Sequence, residues 1–468
     1  MFVEGVAMLL ALIVSAIYNE KELIGFAQSS GLTMSVGSLI IWLTRNASKD
    51  IGKREGFIIV TLVWIVFSLL GSLPYIFTSS IPSYTDAFFE TMSGFTTTGS
   101  SILNDIESLS HGILFWRSLT QWLGGMGMIV LSLAILPIFG IGGMQLYIAE
   151  VPGPTPDKIS PRIRQTAARL WVIYLVFTVA QVLLLWLGQM PLFDSICHSF
   201  TTMATGGFST KQASIAHWPS PYIQYVIILF MFIAGTNFTL SYFAIRGKFS
   251  HLIKDEEFRF YGLIVLFFAI VITAGLLISS ETGVEKAFRE ALFQVVSIIT
   301  TTGFATTDYL LWKPILIALI FAAFFIGGSA GSTGGGIKIM RIVLLLKNGY
   351  YELKRMLHPN AVIPLKFNNH SVDSKIVTNV LAFFVIYFMI FGVSTIIFML
   401  FEPDMETSMG AVATSLGNIG PGLGSVGPAE TFAHIHPAGK WFLSFLMLLG
   451  RLELFTILVL FSPSFWKQ

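Results

Sequence analysis

Cysteine is almost missing: Cys197 is the single one in 468 residues, so no disulfide framework holds this chain. Charge is nearly as scarce. Asp, Glu, Lys and Arg make up 12% of the residues, where soluble domains carry roughly 25%. Too few polar side chains remain to cover a water-facing surface, which excludes an ordinary soluble globule. A net charge of only +2 argues against a nucleic-acid partner. Eight histidines are present, but the one close pair, His434 and His436, sits in a short loop with no carboxylate beside it. A metal centre wants three or four ligands, and none is expected there. A basic leader and a small-residue cleavage site are also missing, so the apolar run 6–18 reads as a retained span rather than a signal peptide.

What the chain does have is hydrocarbon: 54% hydrophobic residues and a mean hydropathy of +0.75. Apolar runs cover 6–18, 31–44, 56–77, 112–136, 170–187, 222–245, 261–279, 312–346, 376–400 and 438–461. A bilayer crossing needs about 20 apolar residues. The run 312–346 is too long for one straight helix and contains the glycine-rich stretch 327–336, so it must break. Basic residues gather on alternate connections, among them Arg45, Lys49, Lys53 and Arg54, then Lys158, Arg162, Arg164 and Arg169, then Arg246 to Arg259, then Lys347 to Lys375. By the positive-inside rule these face the cytoplasm, and both termini with them. The carboxylates Asp86, Glu90, Asp105, Asp194, Glu281, Glu402 and Asp404 then face outward, where they would attract cations.

A repeat is the main signal. Each outward connection carries a short amphipathic stretch ending in small polar residues. The four copies read Asp86-AFFETMSGFTTTG-Ser100, Asp194-SICHSFTTMATGG-Phe208, Glu290-ALFQVVSIITTTG-Phe304 and Thr407-SMGAVATSLGNIG-Pro421. They align without gaps, and Gly99, Gly207, Gly303 and Gly420 close each one thirteen residues after its first position. A fixed internal period with two spans in each copy points to a repeat architecture.

A stretch too short to cross must re-enter, and non-helical backbone survives at that depth only where it lines protein or water. Glycine permits the φ > 0 backbone such a turn needs. Successive carbonyls can then replace the hydration shell of an ion, and the C-terminal end of each short helix adds partial negative charge. Oxygen ligands without a carboxylate ring suit an alkali cation. The stretch 327–336 lacks the Gly-Lys-Ser/Thr ending of a phosphate loop and has no strand before it. It reads as an unwound segment below the filter and a gate, with a flexible kink at a helix crossing as the plainer alternative. Arg451 lies inside the last span, where it either faces the ion path or pairs with nearby Glu453. Arg117, at an outer helix end, reads as a snorkelling side chain. Residues 124–130 read as tight helix packing through small residues.

These residues resemble a known family. The segments Thr96-TTG-Ser100, Thr205-GGF-Ser209, Thr300-TTGF-Ala305 and Asn418-IGPG-Leu423 are similar to the four filters of the Trk/Ktr/HKT superfamily. Trp122-LGGMGMIVL, Gly142-GMQLY, Glu150-VPGP, Gly327-GSAGSTGGG, Glu352-LKR, His358-PNAV and Gly450-RLELFT narrow the resemblance to the TrkH-type membrane subunit of bacterial Trk potassium uptake systems. It runs from about residue 56 to the C-terminus.

The resemblance implies an all-α polytopic membrane protein of the bacterial inner membrane: two preliminary helices, then four M1–P–M2 units around a pseudo-fourfold pore, assembled as a homodimer. It implies potassium coordination by backbone at Thr97 and Thr98, Thr205 and Gly206, Thr301 and Thr302, and Asn418 and Ile419. Glycine at all four ring positions (99, 207, 303 and 420) favours potassium over sodium. The resemblance also implies a gate at Gly327, Gly328, Gly331, Gly334, Gly335 and Gly336 with Arg451 as an inner positive barrier. Its usual partner is a cytosolic, nucleotide-binding TrkA-type ring, which places any organic cofactor off this chain.

The expected units are 1–50, 56–140, 165–250, 258–348 and 374–462, the last four being the repeats. The expected function is gated, channel-like potassium uptake, with symport alongside a proton or sodium ion as the alternative. An enzyme would need catalytic side chains clustered at one depth, and the sequence shows none.

Overall fold

The computed structural model describes residues 1–46, 52–130, 161–279, 283–361 and 363–467. Lys49, Glu281, Lys158, the end of the apolar run 112–136 and the strings at 142–147 and 150–154 lie outside these residues. The described chain is mostly helical, with one two-residue strand pair, Lys366–Phe367 against His370–Ser371.

Hydrocarbon demands that a spanning segment satisfy its own backbone, and a helix does so. α1 (Phe2–Ile17) and α2 (Leu23–Thr44) form an antiparallel hairpin. They approach closely at Gly37, where a Cβ would lie 2.6 Å from the Phe2 nitrogen. Four units follow in one order: a long helix, a short buried helix, a loop and a second helix. The first is α3 (Lys53–Gly71) running into α4 (Leu73–Phe77), then α5 (Tyr84–Phe95) and α6 (His111–Val130). The second is α7 (Pro161–Leu187), α8 (Leu192–Met203), α9 (Pro221–Ala234) and α10 (Phe238–Ile245). A short α11 (Phe249–Lys254) leads to the third: α12 (Glu256–Ser279), α13 (Val284–Ile299), α14 (Pro314–Ala323) and α15 (Ile339–Leu357). The fourth is α16 (Ser374–Phe398), α17 (Met405–Gly417), α18 (Pro437–Arg451) and α19 (Phe455–Leu458), with α20 (Pro463–Trp466) behind it.

The long helices turn apolar side chains outward. On α12, Leu263, Leu266, Phe267 and Ile270 are all exposed, as lipid-facing residues are. Five described helices are long and apolar enough to cross a membrane. The short helices are the opposite case: on α5 every residue from Ala87 to Phe95 is buried. Sequence predicts the second helices of repeats 2 and 4, runs 222–245 and 438–461, as single spans. Instead they bend by 112° and 109°. At the first bend the Asn237 side chain accepts from the Thr239 amide (2.8 Å) and starts a new helix. At the second, Glu453 and Leu454 take left-handed φ of 56° and 55°, and Glu453 reaches sideways to Arg341. The first bend is closed by a local cap, the second by an ion pair to another helix. The run 312–346 is helical only in α14 and the start of α15, with no helix between Ala323 and Ile339.

Candidate ion-conducting site

The four short helices end in the same backbone turn. One residue takes a left-handed conformation at each end: Thr97 (φ 53°), Thr205 (54°), Thr301 (57°) and Asn418 (54°). Asn tolerates that region; a β-branched Thr there is strained, at about 1–3 kcal/mol each, and persists only where the surroundings over-determine it. The amides of this residue and the next fold back onto the helix. Thr97 and Thr98 donate to the carbonyls of Gly94 (3.0 Å) and Ser93 (2.9 Å), and the other three copies repeat the pattern. With the amides turned inward to the helix, the carbonyls of this segment are left facing away from it.

The four copies close into a ring through their glycines, each at positive φ. A Cβ on Gly99 would stand 2.2 Å from the Gly206 oxygen, and one on Gly207, 1.9 Å from the Thr302 oxygen. On Gly303 it would stand 2.0 Å from the Ile419 oxygen, and on Gly420, 2.9 Å from that of Thr98. Repeat 1 thus abuts 2, 2 abuts 3, 3 abuts 4, and 4 returns to 1. Every position proposed from sequence for the filter stands in or directly beneath this ring.

Side chains tie the ring from outside. Ser100 Oγ donates to the Gly420 carbonyl (3.1 Å), Asn418 Nδ2 to Thr98 Oγ1 (2.9 Å), and Tyr309 Oη to the Gly422 carbonyl (2.6 Å). Arg117 is not a snorkelling side chain, nor is Glu90 a solvated outer carboxylate. Both are buried, paired at 2.6 Å. Glu90 also accepts from Ser101 Oγ and the Ile102 amide, while Arg117 donates to the Ser209 carbonyl. The pair therefore joins the ends of filters 1 and 2, and an apolar run around Arg117 hid it from the sequence.

Below the ring, residues 324–338 cross from α14 to α15 as an irregular loop. It is pinched at its neck, where the Gly327 amide donates to the Ile337 carbonyl (2.8 Å). Its tip touches the ends of three short helices: Thr333 Oγ1 donates to the Met203 carbonyl (3.0 Å), the Gly335 amide to Thr301 Oγ1 (2.6 Å), and Gly335 packs on the Gly417 carbonyl. Repeat 1 is reached through Arg451, 1% exposed, which donates to the carbonyls of Thr333 (2.8 Å) and Gly124 (3.1 Å). The Arg451–Glu453 pairing weighed from sequence does not form; Glu453 pairs with Arg341. Gly124 in turn packs on the Phe95 carbonyl, so the glycines of residues 124–130 serve close packing.

Glu257, unremarked in the sequence, holds both arms of the loop. Its Oε1 accepts from the amides of Ala330 (2.7 Å) and Met340 (3.1 Å). Nothing but its place at the head of an apolar helix marks it. His434 bonds Ser425 Oγ, and His436 caps α18. Among the described residues no group of three or more His, Cys, Asp or Glu could hold a metal ion.

Comparisons with known proteins agree with this arrangement. The family described as TrkH, cation transport protein, matches residues 24–468. The chain is 44% identical to the Trk system potassium uptake protein TrkH of Salmonella typhimurium, over 98% of this chain and 96% of that one. It is 34% identical to TrkG of Escherichia coli K12, over 99% and 96%. The crystal structure of the potassium transporter TrkH from Vibrio parahaemolyticus superposes with a TM-score of 0.92 at 40% identity, covering 100% of this chain and 97% of that one. These relatives are transporters, not enzymes. A ring of four re-entrant segments, a loop beneath it and a match over nearly the whole length lead to one assignment: the chain belongs to the TrkH family of cation transport proteins.

Proposed function

We propose that this chain takes up potassium across the bacterial inner membrane, both termini cytoplasmic, through the ring formed by its four re-entrant segments. The observation that carries this reading is the cyclic contact of Gly99, Gly207, Gly303 and Gly420 with the carbonyls of Gly206, Thr302, Ile419 and Thr98. Backbone oxygens in a ring substitute for water around an alkali cation without the charge that would trap a divalent one. The coordinating positions are Thr97, Thr98, Thr205, Gly206, Thr301, Thr302, Asn418 and Ile419. Four helix C-termini directed at the same point add favourable potential for the cation.

The loop 327–336 is the gate. A segment that touches the short helices of repeats 2, 3 and 4 and, through Arg451, reaches repeat 1 lies across the route below the ring. The Arg451 guanidinium adds a positive barrier there. Glu257 and the Arg341–Glu453 pair anchor the loop's base. Opening is assigned to a cytosolic TrkA-type ring, which carries the nucleotide, and the working form is a homodimer. We assign five units to the chain: 1–50, 56–140, 165–250, 258–348 and 374–462.

The test is rubidium-86 uptake into proteoliposomes at a clamped potential. Competition by potassium but not sodium, driven by voltage alone, is expected. Equal competition by both ions would overturn the filter reading, and a requirement for a proton or sodium gradient would replace the gated pore with a symporter.

A further inference from the structure

The four ring segments differ at the residue before the ring glycine: Thr98, Gly206, Thr302 and Ile419. In repeats 1 and 3 this residue is a threonine tied down behind the filter. Thr98 Oγ1 bonds Thr96 Oγ1 at 2.8 Å, and Thr302 Oγ1 bonds Thr300 Oγ1 at 2.8 Å. Repeat 2 has no side chain there. Its backbone does not demand glycine, because Gly206 is not among the residues at positive φ. What demands it is space: a Cβ on Gly206 would stand 2.4 Å from Cδ of Gln121.

Gln121 comes from α6, the second helix of repeat 1, and is fully buried. Its Nε2 donates to the Gly206 carbonyl (2.6 Å), and its Oε1 accepts from the Phe208 amide (3.0 Å). Only this orientation of the amide satisfies both partners. One side chain therefore clamps the peptide groups on either side of Gly207. The Gly206 oxygen it holds is one of the four ring oxygens, the one against which Gly99 packs. Among those four oxygens, no other accepts a side-chain hydrogen bond between described residues. A ring tells potassium from the smaller sodium ion by the number and field strength of its oxygens and by how far they can move inward. A donor at 2.6 Å does two things: it draws on the oxygen's lone pairs and anchors its position.

We propose that Gln121 is a positioning residue for ion selectivity, supplying from repeat 1 the restraint that repeat 2 lacks. This inference rests on the filter reading above. Gln121→Met keeps the length and removes both bonds. Gln121→Glu keeps an acceptor for the Phe208 amide but sets an oxygen against the Gly206 carbonyl.

The experiment measures, for each purified variant in proteoliposomes, the ratio of sodium to potassium concentrations that halve rubidium-86 uptake. Losing a buried hydrogen bond of ordinary strength corresponds to about a fivefold fall in that ratio. Rubidium uptake itself should persist, and a fall in the ratio in either variant supports the role. Adding Gly206→Thr to Gln121→Ala should recover part of the ratio, because the threonine fills the space as in repeats 1 and 3. A purely structural role would lower thermal stability and total uptake while leaving the ratio alone. Gly207→Ser is the control. If it moves the ratio and both Gln121 variants do not, the role of Gln121 is overturned and the filter stands. If Gly207→Ser also leaves the ratio unchanged, the filter reading itself falls.

Discussion

The ring and the second helices beneath it are built from the same four repeats, yet they obey opposite rules. In the ring, four segments with three different sequences (TTTG twice, ATGG and GNIG) adopt one backbone, with a left-handed residue two positions before a left-handed glycine in every copy. Below, the second helices have diverged: α6 is helical through Val130, repeat 2 bends by 112°, repeat 3 opens into a loop, and repeat 4 bends by 109°. Coordination of a spherical ion needs ligands from all sides at one distance, which holds the backbone equal while side chains drift. Under the gate proposed above, closing a path needs one element that differs from the rest, and the second helices of repeats 2 and 4 bend where the third opens into its loop.

The sharpest way to break the comparison is at the ring glycines. Gly207→Ala puts a methyl group 1.9 Å from the Thr302 oxygen at φ 77°; Gly420→Ala puts one 2.9 Å from the Thr98 oxygen at φ 106°. Potassium preference over sodium should fall by about tenfold or more in the first and by less in the second, given strain of about 1–3 kcal/mol. Competition against rubidium-86 uptake reads both. Equal losses would mean that backbone strain alone, and not the neighbouring carbonyl, fixes the ring.

Below the ring the effect should fall on gating instead. Arg451→Gln releases the Thr333 and Gly124 carbonyls, and basal uptake without a cytosolic partner should rise on the order of tenfold with selectivity unchanged. Glu257→Ala, which frees the Ala330 and Met340 amides, should raise it less. Glu257→Gln, retaining an acceptor, should stay near the parent. A selectivity change in the Arg451 variant would show that ring and loop are not separable.

The symmetric half was the legible half. The ring glycines and Thr97, Thr301 and Asn418 stand out in the sequence because a turn at depth restricts residue choice, and four copies repeat the restriction. The unequal half was legible only where it broke composition, as at the glycines of 327–336 and at Arg451. The bends after Ala234 and Arg451 left no glycine or proline run; at the first, Asn237 caps a new helix through the Thr239 amide, and at the second, Glu453 pairs with the distant Arg341. Arg117 and Glu90 were misread, and Gln121 and Glu257 unremarked, for the same reason. Each is a lone polar residue with a partner on another segment, 27 to 92 positions away in the sequence.

The Glu90–Arg117 pair tests whether the tie between filters 1 and 2 is structural. Glu90→Gln leaves a buried guanidinium without its counter-charge and should destabilise by about 3–5 kcal/mol, read as a lower unfolding temperature in detergent. The double variant Glu90→Gln/Arg117→Met should recover much of it. If the double variant is as unstable as the single one, the pair's hydrogen bonds to Ser101, Ile102 and Ser209 outweigh its charge.

The smallest effect lies where the symmetric half does vary, at the starts of the short helices. Ser83 caps α5 and Asp404 caps α17, while α8 and α13 begin at Pro191 and Gly283 without a side-chain cap. Asp404 accepts from the Thr407 hydroxyl (2.6 Å) and amide (2.8 Å), and these bonds hold its carboxyl below the ordinary value of 3.8. A depressed folded-state pKa means stability that is present above the unfolded value and lost as pH falls through the folded one. The loss of this cap therefore falls below pH 3.8. Asp404→Asn keeps an acceptor without the charge, so its unfolding temperature should lose less between pH 5 and pH 3 than the parent's, while Asp404→Ala should cost about 1 kcal/mol at pH 7. If the parent and the Asn variant fall in parallel, the acid sensitivity lies in another carboxylate, and the four helix starts are energetically as alike as the four turns at their ends.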